Sequence, residues 1–193
     1  MTKILFLALG LLGCTLSASA TTITFSSLGG PHGAAYNGHS EGGFTMTPTV
    51  GAWQQVPIVF GNPPPSIFSL SASAGIEVTS GGAFTFASVD LGDGDVAKVG
   101  PSYTIEGFLG ASSIFSFGGA DIPFNFSTIN NPSPGDVIDR LVITMNAGAS
   151  TGYNIDNIVV NNAAAVPDGG STLMFLSGAL GALGFYQRRL RRA

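Results

Sequence analysis

Short runs that alternate apolar and polar residues fill the middle of this chain, and nothing there repeats with the period of a helix. Alternation with a period of two turns one set of side chains to a core and the other to water, the pattern of a half-buried strand. "TITFSS" alternates from Thr22, and "GGFTMTPTV" sets Phe44, Met46 and Pro48 on one face. "IFSLSAS", "GIEVTS", "AFTFASVDL", "SYTIEGFLG", "SIFSFG", "DRLVITMN" and "YNIDNIVVN" follow. Gly, Pro, Asn and Asp separate these runs. "NPPPS" at 62–66 is a loop, since consecutive prolines cannot continue a ladder, and "NNPSPGD" at 130–136 is another. Roughly nine or ten strands at this spacing predict an all-β sandwich or barrel with the phenylalanines in its core.

The N-terminal end has a different layout. "MTKILFLALGLLGCTLSASA" has one basic residue, Lys3, then an apolar core from Ile4 to Leu12, then Ala18-Ser19-Ala20. That is the order of a secretory signal, and cleavage by signal peptidase is expected after Ala20. The apolar core is shorter than the roughly 20 residues that a resident membrane helix needs. "LLGC" loosely resembles a lipoprotein cleavage box, which would instead make Cys14 a lipid anchor. Either way the one cysteine lies in the export segment, and no disulfide can form in the domain beyond it.

Between Thr21 and Ala165 the basic residues are Lys98 and Arg140. The acidic ones are Glu41, Glu77, Asp90, Asp93, Asp95, Glu106, Asp121, Asp136, Asp139 and Asp156, so the domain carries two positive and ten negative charges, a net of −8. The whole-chain value of −4 hides this, because arginines gather at the C-terminal end. A domain so acidic repels nucleic acid, whose binding rests on Lys and Arg at phosphates, and also repels anionic membrane surfaces. The stretch is long enough for one domain with a sizeable core.

Catalytic constellations are sparse. His32 and His39 lie in a Gly-rich segment where His39-Ser40-Glu41 could suggest metal or acid–base chemistry, but nothing there fixes the three or four ligands of a zinc site, and the segment reads as a surface loop. Gly-x-Ser-x-Gly runs occur at 38–42 ("GHSEG") and 148–152 ("GASTG"), but neither leads from a strand-like run into a helical one, as a nucleophile elbow must. Glu77 and Glu106 are the carboxylates that a glycosidase would need, and both stand in strand-like runs. "DLGDGD" brings Asp90, Asp93 and Asp95 together around two glycines, and hard oxygen ligands on a tight turn suit a structural Ca²⁺; solvated turn carboxylates are the plainer alternative. Trp53, the single tryptophan, stands in the loop-like "VGAWQQVP". An exposed indole there would be a platform for a sugar ring, a buried one a core group.

The C-terminal end has three parts in order: "VPDGGST", an apolar stretch from Leu173 to Tyr186, and "RRLRR". This resembles the PEP-CTERM type of sorting signal in its Val-Pro-Asp variant, with Gly170 where some variants carry serine. The resemblance implies that Val166, Pro167, Asp168, Gly169, Gly170, Ser171 and Thr172 are the motif read by an exosortase, a membrane transpeptidase. A transmembrane stretch at 171–187 would be held by Arg188, Arg189, Arg191 and Arg192 on the cytoplasmic side. The middle is similar, at the level of pattern, to the secreted β-sandwich domains that often precede such tails, with "NIDNIVV" the most family-like piece. Those domains resemble carbohydrate-binding jelly rolls, which can hold Ca²⁺ between chain-end segments; here Asp156 and Glu41 would supply it.

The expected organisation is therefore a signal peptide at 1–20, a jelly-roll-like β-sandwich at 21–165 and a sorting signal at 166–193. The expected role is that of an exported, non-catalytic surface or matrix protein associated with extracellular polysaccharide. The alternatives are a secreted carbohydrate-active hydrolase and a lipid-anchored surface protein.

Overall fold

A computed structural model describes residues 20–58, 63–94, 100–146 and 152–162. All belong to one compact unit, Ala18–Ala163. Twelve strands and no helix occur among the described residues. In chain order they are β1 (Ala20–Ile23), β2 (Ala35–Tyr36), β3 (His39–Glu41), β4 (Phe44–Val50), β5 (Trp53–Val56) and β6 (Ser66–Ser69). Then come β7 (Ser73–Asp93), β8 (Ser102–Leu109), β9 (Ser112–Gly119), β10 (Ser127–Asn130), β11 (Val137–Asn146) and β12 (Tyr153–Asn162). Every pairing is antiparallel.

β7 organises the molecule. Its first part, Ser73–Ser80, lies between β4 and β11. Its second part, Phe84–Asp93, lies with β12 on one side and β10 and the start of β11 on the other. The strand passes from one layer to the next at the exposed Gly81, Gly82 and Ala83. The first layer therefore runs β3-β4-β7-β11-β8-β9. The second runs β2-β5-β6-β12-β7-β10, with β1 beside β6 on the far half of β12.

The two layers share one hydrophobic core. Phe86 of β7 stacks on Phe115 of β9 at 6.4 Å, although the two strands do not pair. Phe44 of β4 meets Phe84 edge to face at 5.3 Å. Gly107 of β8 makes room for this packing: a Cβ there would overlap the Phe115 ring and crowd Ile138. This is a β-sandwich by its own geometry. Alternation explains it: Ile76, Val78, Phe84 and Phe86 all point inward from β7, as do Leu141, Ile143 and Met145 from β11.

Two bulges break the alternation at one place. In β7 the inward set changes from Phe84 and Phe86 to Val89 and Leu91; in β12 it changes from Tyr153 and Ile155 to Ile158 and Val160. The register shifts on both strands between Asp156 and Val160, so each slip compensates the other and both inward sets stay in the core. Asn157 sits at the β12 bulge with φ of 42°, a left-handed conformation that Asn tolerates better than branched residues.

Four strands exceed what alternation foretells. β2, β3, β5 and β10 have two to four residues each, too few to show a period. "GIEVTS" and "AFTFASVDL", expected as two strands, are one 21-residue strand. No helix long and apolar enough to cross a membrane occurs among the described residues. The expected signal and sorting helices lie outside them.

Candidate functional site

The outer face of the first layer is an open, ordered array of polar side chains. Cross-strand register sets it out in rows. One row runs Thr45, Thr79, Arg140, Phe108, Ser113 across five strands. The next runs Thr47, Glu77, Val142, Glu106, Ser116. A third runs Gly75, Thr144, Thr104, Gly118. The inward neighbours of these residues, Ile76, Val78, Ile105, Leu141 and Ile143, are buried, which fixes the direction of the outward set.

Glu77 and Glu106, which the sequence offers as the carboxylates of a glycosidase, both pair with Val142. Two strand spacings separate their backbones, about 10 Å. Arg140 ties the rows together. Its guanidinium carbon lies 4.1 Å from the centre of the Phe108 ring. Its Nη1 lies 3.4 Å from Glu77 Oε2, with the side chains 36 % and 29 % exposed. An ion pair that exposed adds at most about 1 kcal/mol to stability, and it helps to hold the guanidinium over the Phe108 ring. Sequence reading missed Arg140 and Phe108, because only the register across β7, β11 and β8 brings them beside Glu77.

The residues offered for Ca²⁺ are placed as follows. Asp90 and Asp156 are directly opposite on β7 and β12, and both are buried. Thr128 Oγ1 donates to Asp90 Oδ1 at 2.6 Å and Asn157 Nδ2 to Asp90 Oδ2 at 2.9 Å, while the Asn157 amide donates to Asp156 Oδ1 at 2.8 Å. Asp93 lies within the same strand and not on a tight turn; it pairs with Tyr153 on the core side, because positions three apart on a strand face opposite ways. Asp95 lies outside the described residues. Glu41 accepts hydrogen bonds from the Thr24 amide (3.0 Å) and hydroxyl (2.9 Å), and its other oxygen is 3.3 Å from His39 Nε2. Among the described residues no three His, Cys, Asp or Glu side chains gather in a way that could hold a metal ion.

Trp53 is a core residue and not a sugar platform. It is 3 % exposed, it packs on Tyr153 at 6.4 Å, and its indole Nε1 donates to the Val50 carbonyl at 3.1 Å. The expected loop around it is instead β5, paired with β2 and β6. His39 also leaves the surface loop expected for it. It lies in β3 with its ring against Phe25 and Tyr36, and its Nδ1 is 3.1 Å from the Tyr36 hydroxyl. Burial, and secondly the nearby Glu41 carboxylate, push the Tyr36 phenol well above its ordinary pKa. This Tyr-His-Glu chain fastens the segment after β1 to β3. His32 is exposed on the loop before β2.

No protein-family model matches the chain, and no curated protein does. Among solved structures the chain is similar to a family 29 carbohydrate-binding module of Piromyces equi at 10 % identity and a TM-score of 0.46, over 79 % of this chain and 95 % of that one. It is also similar to a GH29 fucosidase of Ruminococcus gnavus at 14 % identity and a TM-score of 0.41, over 64 % of this chain and 26 % of that one. A third is the enzymatically active domain of tailspike protein 4 of bacteriophage CBA120, at 15 % identity and a TM-score of 0.39, over 62 % and 19 %. The chain thus spans about a fifth and a quarter of the tailspike and the fucosidase it matches. Ala20, the expected signal-peptidase boundary, begins β1 and pairs with Asn161. Ala18, the motif Val166–Thr172 and the terminal arginines lie outside the described residues.

Proposed function

We propose that the chain is an exported, non-catalytic β-sandwich of jelly-roll type, whose outer first-layer face associates with extracellular polysaccharide. The observation that carries this reading is the open array around Arg140, Phe108, Glu77 and Glu106. A sugar ring offers hydroxyls on its rim and C–H groups on its faces. The array supplies hydroxyls from Thr45, Thr47, Thr79, Thr104 and Thr144, two carboxylates as acceptors, and a guanidinium lying on an aromatic ring. Hydrolysis is the weaker reading, since a glycosidase shelters its general acid in an apolar site whereas Glu77 and Glu106 are half-exposed on a sheet face. In the same proposal signal peptidase removes 1–20, and an exosortase-type transpeptidase reads Val166–Thr172 while Arg188, Arg189, Arg191 and Arg192 hold the tail in place. The calcium reading reduces to the facing Asp90 and Asp156 and is subordinate to this one.

The test is retention of the full chain on immobilised polysaccharides of several classes, with reducing ends assayed alongside. Retention that falls in Arg140→Ala and Glu106→Gln supports the reading. Uniform lack of retention removes the glycan role, and accumulating reducing ends overturn the non-catalytic one. Intact mass of the exported protein tests both termini; a mature form that still carries its arginines ends the sorting proposal.

A further inference from the structure

The first layer ends on β9, and that end differs from the other sheet edges. β1, β2, β3 and β10 have two to four residues each. β4 runs past β3, but it carries Pro48 there. Short strands, proline and charge are the devices by which proteins keep sheet edges from pairing with other chains. β9 has eight residues, and from Gly110 to Ala120 the chain has no charged residue and no proline. Its pairing with β8 is regular from Phe115 to Gly119, and its one bulge, at Ile114, lies toward the hairpin. Nothing among the described residues pairs with its outer edge. Ile114 and Leu109, 40 % and 45 % exposed, add apolar surface at the hairpin end.

Charge selects the occupant. The domain carries a net −8, so two copies repel over most approaches, and a charge-free edge is where that repulsion is least. An antiparallel edge is also complementary to itself about a two-fold axis. With the axis near Phe117, the middle of the regular run, Asp121 meets the uncharged Ser113 of the second copy and not its own equivalent.

We propose that β9 is a self-association edge, pairing antiparallel with β9 of a second copy and joining two six-stranded layers into one continuous sheet. This does not depend on the polysaccharide reading. It would bring the two arrays around Arg140 onto one extended face.

The experiment uses the full chain in detergent with Cys14→Ser and a single new cysteine, treated with a short bis-maleimide. Ser116→Cys on β9 is expected to give cross-linked dimer at least tenfold above Ser40→Cys, which is exposed on β3 at the opposite edge of the layer. Adding Ser113→Glu places a carboxylate near Asp121 of the second copy and is expected to lower the yield several-fold, while Ser113→Lys leaves it unchanged or raises it. The far-ultraviolet spectrum of each variant reports whether the sandwich is intact. No dimer from Ser116→Cys, equal dimer from Ser40→Cys, or the same yield with Glu and Lys at 113 in folded protein would overturn the proposal.

Discussion

Glu77 and Glu106 share one cross-strand partner, Val142, so two carboxylates that are 29 positions apart in sequence stand in one row on one face. Like charges in one row are a modest cost. Arg140, one row away and bound to Glu77, offsets part of it. Replacing Arg140 with Ala is therefore expected to weaken polysaccharide retention clearly while changing stability by no more than about 1 kcal/mol. Urea unfolding beside the retention assay separates the two effects. Loss of stability without loss of retention would make Arg140 a structural residue only.

Asn157 combines a left-handed backbone with a side-chain bond to Asp90. Asn157→Val should cost about 1–3 kcal/mol from backbone strain, plus the bond that holds Asp90. Asn157→Gly should lose only the bond. Denaturant midpoints for the pair test this order, and equal costs would refute the strain argument.

Gly107 sits under Phe115. Gly107→Ala is expected to destabilise by about 1–3 kcal/mol, since the ring and Ile138 must both shift in a packed core. Gly43, with nothing near an added Cβ, has φ of 86° and so tests backbone strain alone. Thermal unfolding of the two alanine variants distinguishes crowding from strain.

The single tryptophan gives a direct probe. Trp53 is buried against Tyr153, so native emission should be blue-shifted and should move red only on unfolding. Saturating polysaccharide should leave it unchanged. A ligand-induced shift would mean that binding reaches β5 and not the first-layer face.

Alkali should unfold the protein through its buried phenols. Burial raises the pKa of both Tyr36 and Tyr153, while unfolded tyrosine titrates near 10. The unfolded chain then releases protons that the folded chain retains. The stabilisation is complete below pH of about 10 and is lost as pH rises above it toward the folded values. Tyrosinate absorbance against stability measures this, and Tyr36→Phe should flatten the decline.

Long alternating runs made most of the strands legible in the sequence, because Phe44 and Met46, or Leu141, Ile143 and Met145, show a period without help from the rest of the fold. Gly81 and Gly82 misled in the other direction. They look like a turn, yet the chain runs through them from one layer into the other. The bulges at Asn157 and near Ala87 were also hidden, since a change of face looks like the end of a pattern. The first-layer array was half legible. That Glu77 and Glu106 face outward follows from Ile76 and Ile105 facing in, but that they share a row is a property of register. The strand around Trp53 was hidden, because Gly51 and the four-residue β5 leave no period to read there.

The order of the second layer governs how the molecule can form. β12, the last of the described strands, is not at an edge: it lies between β6 and β7 and also receives β1. Until residues 153–162 are in place, β6 has no neighbour on that side, β1 has no partner, and half of β7 lacks one ladder. Their contacts close loops of about 60 to 140 residues, and such closures are slow relative to local hairpins. The hairpin of β8 and β9 can collapse early, but the second layer waits for its keystone. A chain built this way keeps its second layer open until residues 153–162 arrive, however early the first layer has closed.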